Sequence, residues 1–522
     1  MVTVTDLAGP RPPIGGTAFV AVPGVASDYE PSIVRNARLQ YLRGFAALAV
    51  LFYHCATYLE LLRGSEVMNG VFPGGWGAYG VAVFFALSGY LMSDLLRRDD
   101  PGTFLVSRIA RIYPTMFIII ALASVLFVLI GQPRGFNFWA LTLVPSGPRP
   151  YFLGVEWTLL YEMTYYVGLT VLAFLGLARF APVAMLAWLV ILAGAFALGP
   201  GQAHPGAPTL SEFPLTVLNI PFVLGFLAGE LHRRGALPRS LMPAAIILLL
   251  PVFVFELDAA MLRLVTGLSA SLLVASAVTA PMTVPSGPLA RFGLRLGDAS
   301  YVLYLVHVPI IMTLSAVLPA ATPPVLLWFV WAAASTAAAI ALAPLDGAIH
   351  RRLKRHITGA PKRRLSIVAL AFIGFFLAVA AAGEFRMRGE AADTARAARI
   401  LSGPTSVAGP SVRMAIDAIA TMPTGNLVVR GYGIDLDKPQ LGSHVALRQA
   451  GQTLALVDLD RMRAATADAL GRTDLRKVRF GFRLMLPKEF TCEGGALEPF
   501  LLLEDGRSLP IPLGALAAVC GK

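Results

Sequence analysis

The sequence predicts an all-α polytopic membrane bundle of about 10–11 transmembrane helices, followed by a small extracytoplasmic β-rich domain. Of its 522 residues, 56% are hydrophobic and only 14% are charged, whereas soluble domains average roughly 25% charged residues. The charges are also unevenly distributed. Residues 1–389 contain 44 charged residues (11%), against 30 (23%) in residues 390–522. This split excludes a soluble enzyme of uniform composition and predicts a long apolar body with a small globular tail.

Eleven apolar runs are long enough to span a bilayer, which needs about 20 residues of helix. They cover residues 40–62, 77–96, 113–131, 151–176, 182–198, 214–231, 241–257, 261–280, 298–318, 325–345 and 365–383. The run at 241–257 contains Pro243 and Pro251, which predict a broken or tilted helix. No internal repeat is visible, and this weighs against transporter folds that are built from inverted halves.

The distribution of Lys and Arg predicts that the N-terminus is cytoplasmic. With that orientation, 21 Lys and Arg fall in the cytoplasmic segments, and only Arg63, Arg134, Arg149 and Arg263 fall in the outer loops. Positive residues are retained on the cytoplasmic side during insertion. Eleven crossings then place residues 390–522 on the outer side. The net charge of +12 is therefore explained by membrane orientation, and no nucleic acid is expected as a partner.

Three segments flank the main apolar region. Residues 1–35 are rich in Pro and Gly and predict a disordered cytoplasmic segment. Residues 347–389 predict a basic cytoplasmic loop and the last transmembrane helix, and residues 390–522 predict the β-rich domain. Its candidate elements are strands at 426–434, 444–449 and 452–459, a helix at 460–470, and strands at 477–486 and 499–504.

The cysteines fall into two groups. Cys492 and Cys520 lie in the predicted outer domain, where conditions are oxidising, so they are candidates for a disulfide, with two free thiols as the alternative. Cys55 lies in the first apolar run and is interpreted as a small packing residue.

Two ionisable residues of the first apolar run, Arg43 and His54, are candidates for a functional role. Arg43 falls at the cytoplasmic mouth, and His54 follows eleven residues later, about 16 Å deeper along a helix. A neutral imidazole at that depth can accept the proton of a hydroxyl group, as acyl transfer to an alcohol requires. The alternative is a histidine that only hydrogen-bonds a neighbouring helix.

A second cationic pair, Arg108 and Arg111, begins the third apolar run. Residues three apart share one face of a helix, so the two guanidinium groups could bind the phosphates of a nucleotide-containing donor. Anchoring to lipid headgroups is the alternative. In the second run, the pair Ser88-Gly89 predicts close packing of a helix or of an acyl chain.

Two further ionisable residues fall near the middle of their runs. Glu162 is about twelve residues from the outer end of the fourth run, and His307 is about ten residues into the ninth. A carboxylate at that depth must be protonated, paired or in contact with water, which favours a functional role. Glu156 is shallower and is interpreted as solvated. His54, Glu162 and His307 are thus predicted to form one constellation.

The motifs around these residues are similar to those of the membrane acyltransferase-3 family. They are the Arg43–His54 spacing, Phe-Phe-Ala-Leu-Ser-Gly at 84–89, Arg-Ile-Ala-Arg-Ile-Tyr-Pro at 108–114, Trp-Thr-Leu-Leu-Tyr-Glu at 157–162 and Ser-Tyr-Val-Leu-Tyr-Leu-Val-His at 300–307. Their order and spacing agree across roughly residues 38–345, so residues 36–346 are predicted to form the acyltransferase-like transmembrane domain.

The resemblance implies an integral O-acyltransferase of the bacterial inner membrane. Such enzymes move an acyl group, most often acetyl, from cytoplasmic acyl-CoA to a hydroxyl of a surface glycan or a lipid-linked sugar, and no metal is implied. It implies catalytic roles for Arg43, His54, Glu162 and His307, and binding of acyl-CoA by Arg108 and Arg111. The tail lacks the Gly-Asp-Ser nucleophile motif of the two-module members. A sugar-binding domain, or one that docks polysaccharide-assembly partners, is therefore expected, with a passive appendage as the alternative.

Two other classes of protein fit parts of the pattern. A transporter or flippase would use the intramembrane His and Glu side chains as a relay for a lipid-linked or small polar substrate. A catalytically silent scaffold would use the tail, residues 390–522, to dock the proteins that assemble a polysaccharide. The sequence does not identify the acyl group or the acceptor sugar.

Overall fold

A computed structural model gives the fold of the chain. It describes residues 37–199, 206–238, 240–279, 287–403, 406, 409–421, 427–449, 452–459, 461–486 and 497–512. The predicted N-terminal segment 1–35, Cys492 and Cys520 lie outside the described residues. The described part consists of a helical bundle followed by a β region, which is the predicted fold class.

Each of the eleven apolar runs forms helix. The helices of the bundle are α1 (Ala37–Arg63), α2 (Gly74–Arg98), α3 (Pro101–Leu129), the short α4 (Phe138–Leu141), α5 (Trp157–Phe174), α6 (Ala181–Leu198), α7 (Ile220–Arg233), α8 (Met242–Leu249), α9 (Pro251–Val254), α10 (Ala259–Thr279), α11 (Pro288–Val317), α12 (Pro324–Thr358) and α13 (Lys362–Ser402). Within the described residues, eight helices are long and apolar enough to cross a membrane: α1, α2, α3, α6 with the turn before it, and α10 to α13. α5, α7 and the α8–α9 pair are shorter, and α9 begins at Pro251, as a broken helix requires.

Contacts between helix ends show that the chain runs back and forth through the bundle. Tyr41 hydrogen-bonds the carbonyl of Ala290, and Arg63 hydrogen-bonds that of Leu318, so α1 and α11 are parallel. α2 ends beside the end of α7, where Arg97 pairs with Glu230. We call this the basic end of the bundle: α1, α3, α11 and α13 begin there, and α2, α7 and α12 end there. α13 carries the chain to the opposite end, from which the β region follows.

The segment 347–389, predicted to be a basic loop and the last transmembrane helix, is almost entirely helical. α12 continues to Thr358, and α13 begins at Lys362, so only residues 359–361 connect them. α13 also extends beyond residue 389 to Ser402, into the segment that was predicted to start the β-rich domain. Ala, Arg and Glu dominate residues 390–399. Because these residues have high helix propensity, α13 continues through them instead of ending at residue 389.

α2 and α7 approach so closely that only glycine fits between them. A Cβ at Gly89 would lie 2.0 Å from the carbonyl oxygen of Phe222, and one at Gly225 would lie 2.1 Å from that of Ala86. Small residues permit this approach of two backbones in a membrane, where association depends on packing. Gly89 is therefore a helix-packing residue, while its neighbour Ser88 faces a cavity.

Replacing Gly89 with valine should separate α2 from α7. The added atoms meet backbone, which cannot rotate away, so we expect a loss of about 3 kcal/mol or more in the free energy of unfolding. Denaturant titration in mixed micelles measures this. Gly168→Val is the matched control, because a Cβ at Gly168 meets nothing within 4 Å. Equal stability of the two variants would contradict the close α2–α7 contact.

The β region contains two four-stranded antiparallel sheets. Their strands are β1 (Val412–Thr421), β2 (Leu427–Asp435), β3 (Gly442–Gln449), β4 (Gln452–Asp458), β5 (Arg461–Met462), β6 (Arg479–Leu486), β7 (Leu497–Leu503) and β8 (Ser508–Pro510), with a short helix α14 (Ala464–Ala469) between β5 and β6. The sheet orders are β1-β2-β6-β5 and β4-β3-β7-β8. Gly433 of the first sheet faces Leu501 of the second. The end of α13 packs on the second sheet through Ala397 and Leu401.

All five strands predicted in this region are present, whereas the short β5 and β8 and the ten-residue β1 were not predicted. β1 is the longest strand that the prediction missed. Its sequence, Val-Arg-Met-Ala-Ile-Asp-Ala-Ile-Ala-Thr, is rich in alanine, which disfavours strands. Pairing with β2 along its whole length holds it extended. The strand is therefore decided by tertiary pairing rather than by local preference.

Candidate active site

A cavity of about 240 Å³ lies inside the bundle between α1, α2, α3, α5, α11 and α12. Phe84, Phe85, Leu87 and Met92 form much of its apolar wall. Its polar lining consists of Arg43, Ser88, Arg108, Arg111, Thr158, Glu162, Tyr166, Ser300, Tyr301, Tyr304 and His350. Arg43 is the seventh residue of α1 and Arg108 is the eighth of α3, and both helices begin at the basic end. The cationic part of the cavity therefore faces that end.

Arg111 is held by an acidic partner from the far part of the chain. Its guanidinium group donates to both carboxylate oxygens of Asp346 (2.9 and 2.8 Å), and the hydroxyl of Thr115 donates to the same carboxylate (2.6 Å). Arg111 also lies over the ring of Tyr301, 5.0 Å from its centroid. The charge of Arg111 is thus largely compensated within the protein.

Arg108 differs from Arg111 in its hydrogen bonding, although the two residues share a helix face. The Nε atom of Arg108 is buried and has no hydrogen-bond partner in the described part of the chain, and the same is true of Nδ1 of His350. Both side chains line the cavity. Buried polar atoms without a partner are rare in native proteins. Because Nε of the cationic Arg108 can only donate, this corner of the cavity is suited to an anionic ligand.

Glu162 and Arg43 form separate contacts in the cavity wall. Tyr166 donates a hydrogen bond to Glu162, and the hydroxyl of Ser88 lies 3.5 Å from that of Tyr166. Nε of Arg43 donates to the hydroxyl of Ser300 (3.3 Å). Glu162 is therefore a hydrogen-bonded carboxylate that faces the cavity, and Arg43 is positioned by α11.

His54 and His307 contact each other directly. Nδ1 of His54 lies 3.1 Å from Nε2 of His307 and 3.0 Å from the carbonyl oxygen of Val50. Nδ1 of His307 lies 3.0 Å from the carbonyl oxygen of Leu303. His307 is buried, with 1% of its surface exposed, whereas His54 is only partly buried. The two imidazoles form a dyad with one accessible member.

Tyr304 lies between the dyad and the cavity. Its ring lines the cavity and is 6.0 Å from the ring of His307. Its hydroxyl donates to the carbonyl of Val155 (3.0 Å) and accepts a hydrogen bond from Thr158 (2.7 Å). Neither histidine lines the cavity itself. Tyr304 therefore separates the cationic compartment from the imidazoles.

The predicted constellation is thus divided in two. His54 and His307 meet, as their depths suggested, but Glu162 joins Arg43, Arg108 and Arg111 around the cavity and hydrogen-bonds Tyr166 instead of a histidine. A depth estimate gives position along the membrane normal only, and the face of each helix decides which side chains meet.

Two residues near the cavity were not predicted, and the environment of a third residue, Glu156, was predicted wrongly. The prediction missed His350, which lines the cavity, and Asp346, which pairs with Arg111. A lone acid at the end of the apolar run 325–345 was the available signal for Asp346. Glu156 was interpreted as solvated, but it is 2% exposed and accepts hydrogen bonds from the backbone N–H groups of Leu153 and Val155. It stabilises the turn before α5.

Comparison with known proteins gives the family. The profile described as "Acyltransferase domain" of the acyltransferase-3 family matches residues 36–345, which is more than half of the chain. The chain belongs to the acyltransferase-3 family. It is a multi-pass membrane acyltransferase, and the matched region contains the cavity wall from α1 to α11 and the histidine dyad. α13 and the β region lie outside the match.

Two relatives support the assignment. The acyltransferase MdmB of Streptomyces mycarofaciens is 28% identical over a match that covers 54% of this chain and 80% of that protein. Nodulation protein 10 of Rhizobium leguminosarum bv. viciae is 32% identical, over 25% of this chain and 42% of that protein. The match thus spans less than half the length of the second relative. No solved structure matches this acyltransferase significantly.

Proposed function

We propose that this acyltransferase moves an acetyl group from cytoplasmic acetyl-CoA to a hydroxyl group of a surface or exported glycan. The observation that carries the proposal is the arrangement of two compartments. A cationic cavity faces the basic end, and a histidine dyad lies behind Tyr304 toward the opposite end. A donor with several phosphates and a neutral acceptor with a hydroxyl group need these two different environments.

The orientation in the membrane supports the choice of donor. The basic end carries Arg97, Arg98, Arg233, Arg234 and the α12–α13 cluster of Lys and Arg, which favours the cytoplasmic side. Acyl-CoA is a cytoplasmic metabolite with three phosphate groups. In the proposal, its phosphates meet Arg108 and its thioester points inward past Glu162 toward Tyr304. This orientation places the N-terminus inside, and α13 then carries the β region to the periplasmic side of the inner membrane.

The proposed reaction is general-base catalysis by His54. Its imidazole takes the proton of the acceptor hydroxyl while the oxygen attacks the thioester carbonyl. The carbon–sulfur bond breaks, the coenzyme A thiolate receives that proton from the imidazolium, and the products are an ester and free coenzyme A. A variant of this reaction has His54 carry the acyl group briefly. Either path requires Tyr304 to move aside, because it separates the cavity from the dyad.

The β region is proposed to bind the acceptor or a partner that delivers it. One continuous helix, α13, connects the bundle to the β region. Two hydrogen bonds fix α13 to the bundle: Arg386 donates to the carbonyl of Ser146, and the carboxylate of Glu384 accepts from the N–H of Ser211. At the other end of this segment, Arg396 hydrogen-bonds the carbonyl of Glu504. This connection supports a fixed placement of the β region near the opposite end of the bundle, where the acceptor would arrive.

The direct test is transfer of radiolabelled acetyl from acetyl-CoA by the full-length protein in lipid vesicles, with released coenzyme A measured in parallel. Labelled ester and stoichiometric thiol would support the proposal. Movement of a substrate across the membrane without release of thiol would favour the transporter function instead. Binding of acetyl-CoA without turnover of any offered glycan would contradict the proposed acceptor class.

Arg108→Ala should weaken binding of the donor. Loss of a charge-assisted hydrogen bond costs about 1.5–3 kcal/mol, so KM for acetyl-CoA should rise about 10- to 100-fold. KM for acetylpantetheine, which lacks the nucleotide, should stay unchanged. Arg98→Ala is the control, because Arg98 lies at the same end and is more than half exposed while pairing with Asp94. An equal effect on both donors would show that Arg108 does not bind the nucleotide phosphates.

A further inference from the structure

The hydrogen bonds around the histidine dyad restrict which ring nitrogens can carry protons. A carbonyl oxygen only accepts hydrogen bonds, and a neutral imidazole has one donor and one acceptor nitrogen. Nδ1 of His307 faces the carbonyl of Leu303 at 3.0 Å, so this nitrogen carries the proton. Nε2 of His307 is then the acceptor of the ring.

The same reasoning then applies to His54. Its Nδ1 faces two acceptors, the carbonyl oxygen of Val50 at 3.0 Å and Nε2 of His307 at 3.1 Å. Nδ1 of His54 must therefore carry the proton and share it between them. If both histidines instead carried the proton on Nε2, the lone pair of each Nδ1 would face the lone pairs of a carbonyl oxygen, which is repulsive. Nε2 of His54 is left unprotonated, and no described residue hydrogen-bonds it.

We infer that His307 is a positioning residue that fixes His54 in the tautomer whose Nε2 lone pair is free to accept the proton of the acceptor hydroxyl. This assignment differs from the sequence prediction, which gave His307 a catalytic role of its own. His307 is buried behind His54, and its own Nε2 is occupied by the contact with His54. It acts on the reaction only through the orientation and tautomer of the neighbouring ring.

The dyad also prepares His54 for the charge that develops during the reaction. When Nε2 takes the proton, His54 becomes an imidazolium whose Nδ1–H already donates to His307 and to Val50. Both acceptors strengthen their hydrogen bonds to a charged donor. Among the described residues, the hydrogen-bond partners of the two imidazoles are each other and backbone carbonyl oxygens, and no carboxylate is among them. A neutral partner avoids the cost of placing a carboxylate in the membrane interior.

The inference rests on the proposed acyl transfer for its catalytic meaning, but the tautomer can be measured without any turnover. The experiment is ¹⁵N nuclear magnetic resonance of the full-length protein, labelled at histidine and reconstituted in lipid vesicles. Protonated and unprotonated ring nitrogens have well-separated chemical shifts. The chain contains seven histidines, and subtraction of the spectrum of His54→Gln assigns His54. We expect protonated Nδ1 and unprotonated Nε2, and the reverse would overturn the inference.

Kinetics of two variants separate positioning from mere packing. In His307→Leu, which fills the space without an acceptor, kcat should fall about 100-fold while KM for acetyl-CoA stays within about twofold. In His307→Gln, whose side-chain oxygen can replace Nε2 as acceptor, most of that loss should be recovered. Equal loss in both variants, with wild-type melting temperatures, would overturn the positioning role.

The same measurements distinguish a failure of the proposed function from a failure of this inference. A wild-type protein that transfers no acyl group, yet shows the expected tautomer at His54, would refute acyl transfer to the offered acceptor while leaving the dyad geometry confirmed. An active wild type with protonated Nε2 at His54 would refute the inference and leave acyl transfer intact.

Discussion

His54→Ala should reduce acyl transfer by about 10²–10⁴-fold, the range that a positioned general base contributes. The side chain is the accessible member of the dyad, and its removal leaves the acceptor hydroxyl without a group that can take its proton. Binding of acetyl-CoA should persist, because the cationic corner around Arg108 is a separate compartment. The measurements are the rate of labelled ester formation and the dissociation constant for acetyl-CoA, each on protein that inserts and accumulates normally.

The control for His54→Ala is His356→Ala, which removes an exposed histidine near the end of α12. Its transfer rate should equal that of the wild type. Rapid quenching of the wild-type reaction distinguishes the two roles of His54, since an acyl-imidazole intermediate would retain label on the protein. Transfer that survives in His54→Ala at the wild-type rate would refute the mechanism.

Asp346→Ala should destabilise the bundle by about 3 kcal/mol, the lower end of the range for buried pairs, because it leaves the partly buried guanidinium group of Arg111 without its carboxylate partner. The hydroxyl of Thr115 loses its acceptor at the same time. Denaturant titration in mixed micelles measures the free energy of unfolding. The effect should greatly exceed that of Asp94→Ala, which breaks a surface pair with Arg98 and should cost less than about 1 kcal/mol.

A double variant tests whether Arg111 serves mainly this ion pair. Arg111→Met with Asp346→Leu replaces both charges by apolar side chains, which is often neutral or stabilising for a buried pair. Stability should return to within about 1 kcal/mol of the wild type, and KM for acetyl-CoA should change less than in Arg108→Ala. A rise in KM as large as in Arg108→Ala would show that both arginines bind the donor, as the sequence motif implied.

The number and order of the apolar helices could be predicted because a membrane helix is specified locally. About 20 apolar residues satisfy their own backbone hydrogen bonds within one segment, so each run forms helix whatever its neighbours are. The lengths were less predictable. Residues 347–358 and 384–402 contain charges and no continuous apolar run. A prediction from hydropathy therefore ends each helix where these residues begin. Their helix preference instead carries α12 and α13 further.

The candidate site could be predicted as a list of residues but not as an arrangement. Arg43, His54, Glu162 and His307 were identified because an ionisable group in an apolar run is costly and therefore needs a reason. Their partners could not be identified in the same way. His54 meets His307 across 253 positions of the chain, and Arg111 meets Asp346 across 235. Nothing local to either residue encodes such a pairing.

The sequence by itself determined the membrane class, the helical segments, the family motifs and the ionisable residues at depth, since each of these depends on composition or spacing within a single segment. The tertiary structure alone decided which side chains share a compartment. It left Nε of Arg108 without a hydrogen-bond partner among the described residues and placed Arg111 against Asp346, although both lie on one helix face. It also separated Glu162 from the histidines. The physical reason is that hydrogen bonds and ion pairs form between faces of different helices, and only packing of the whole bundle brings those faces together.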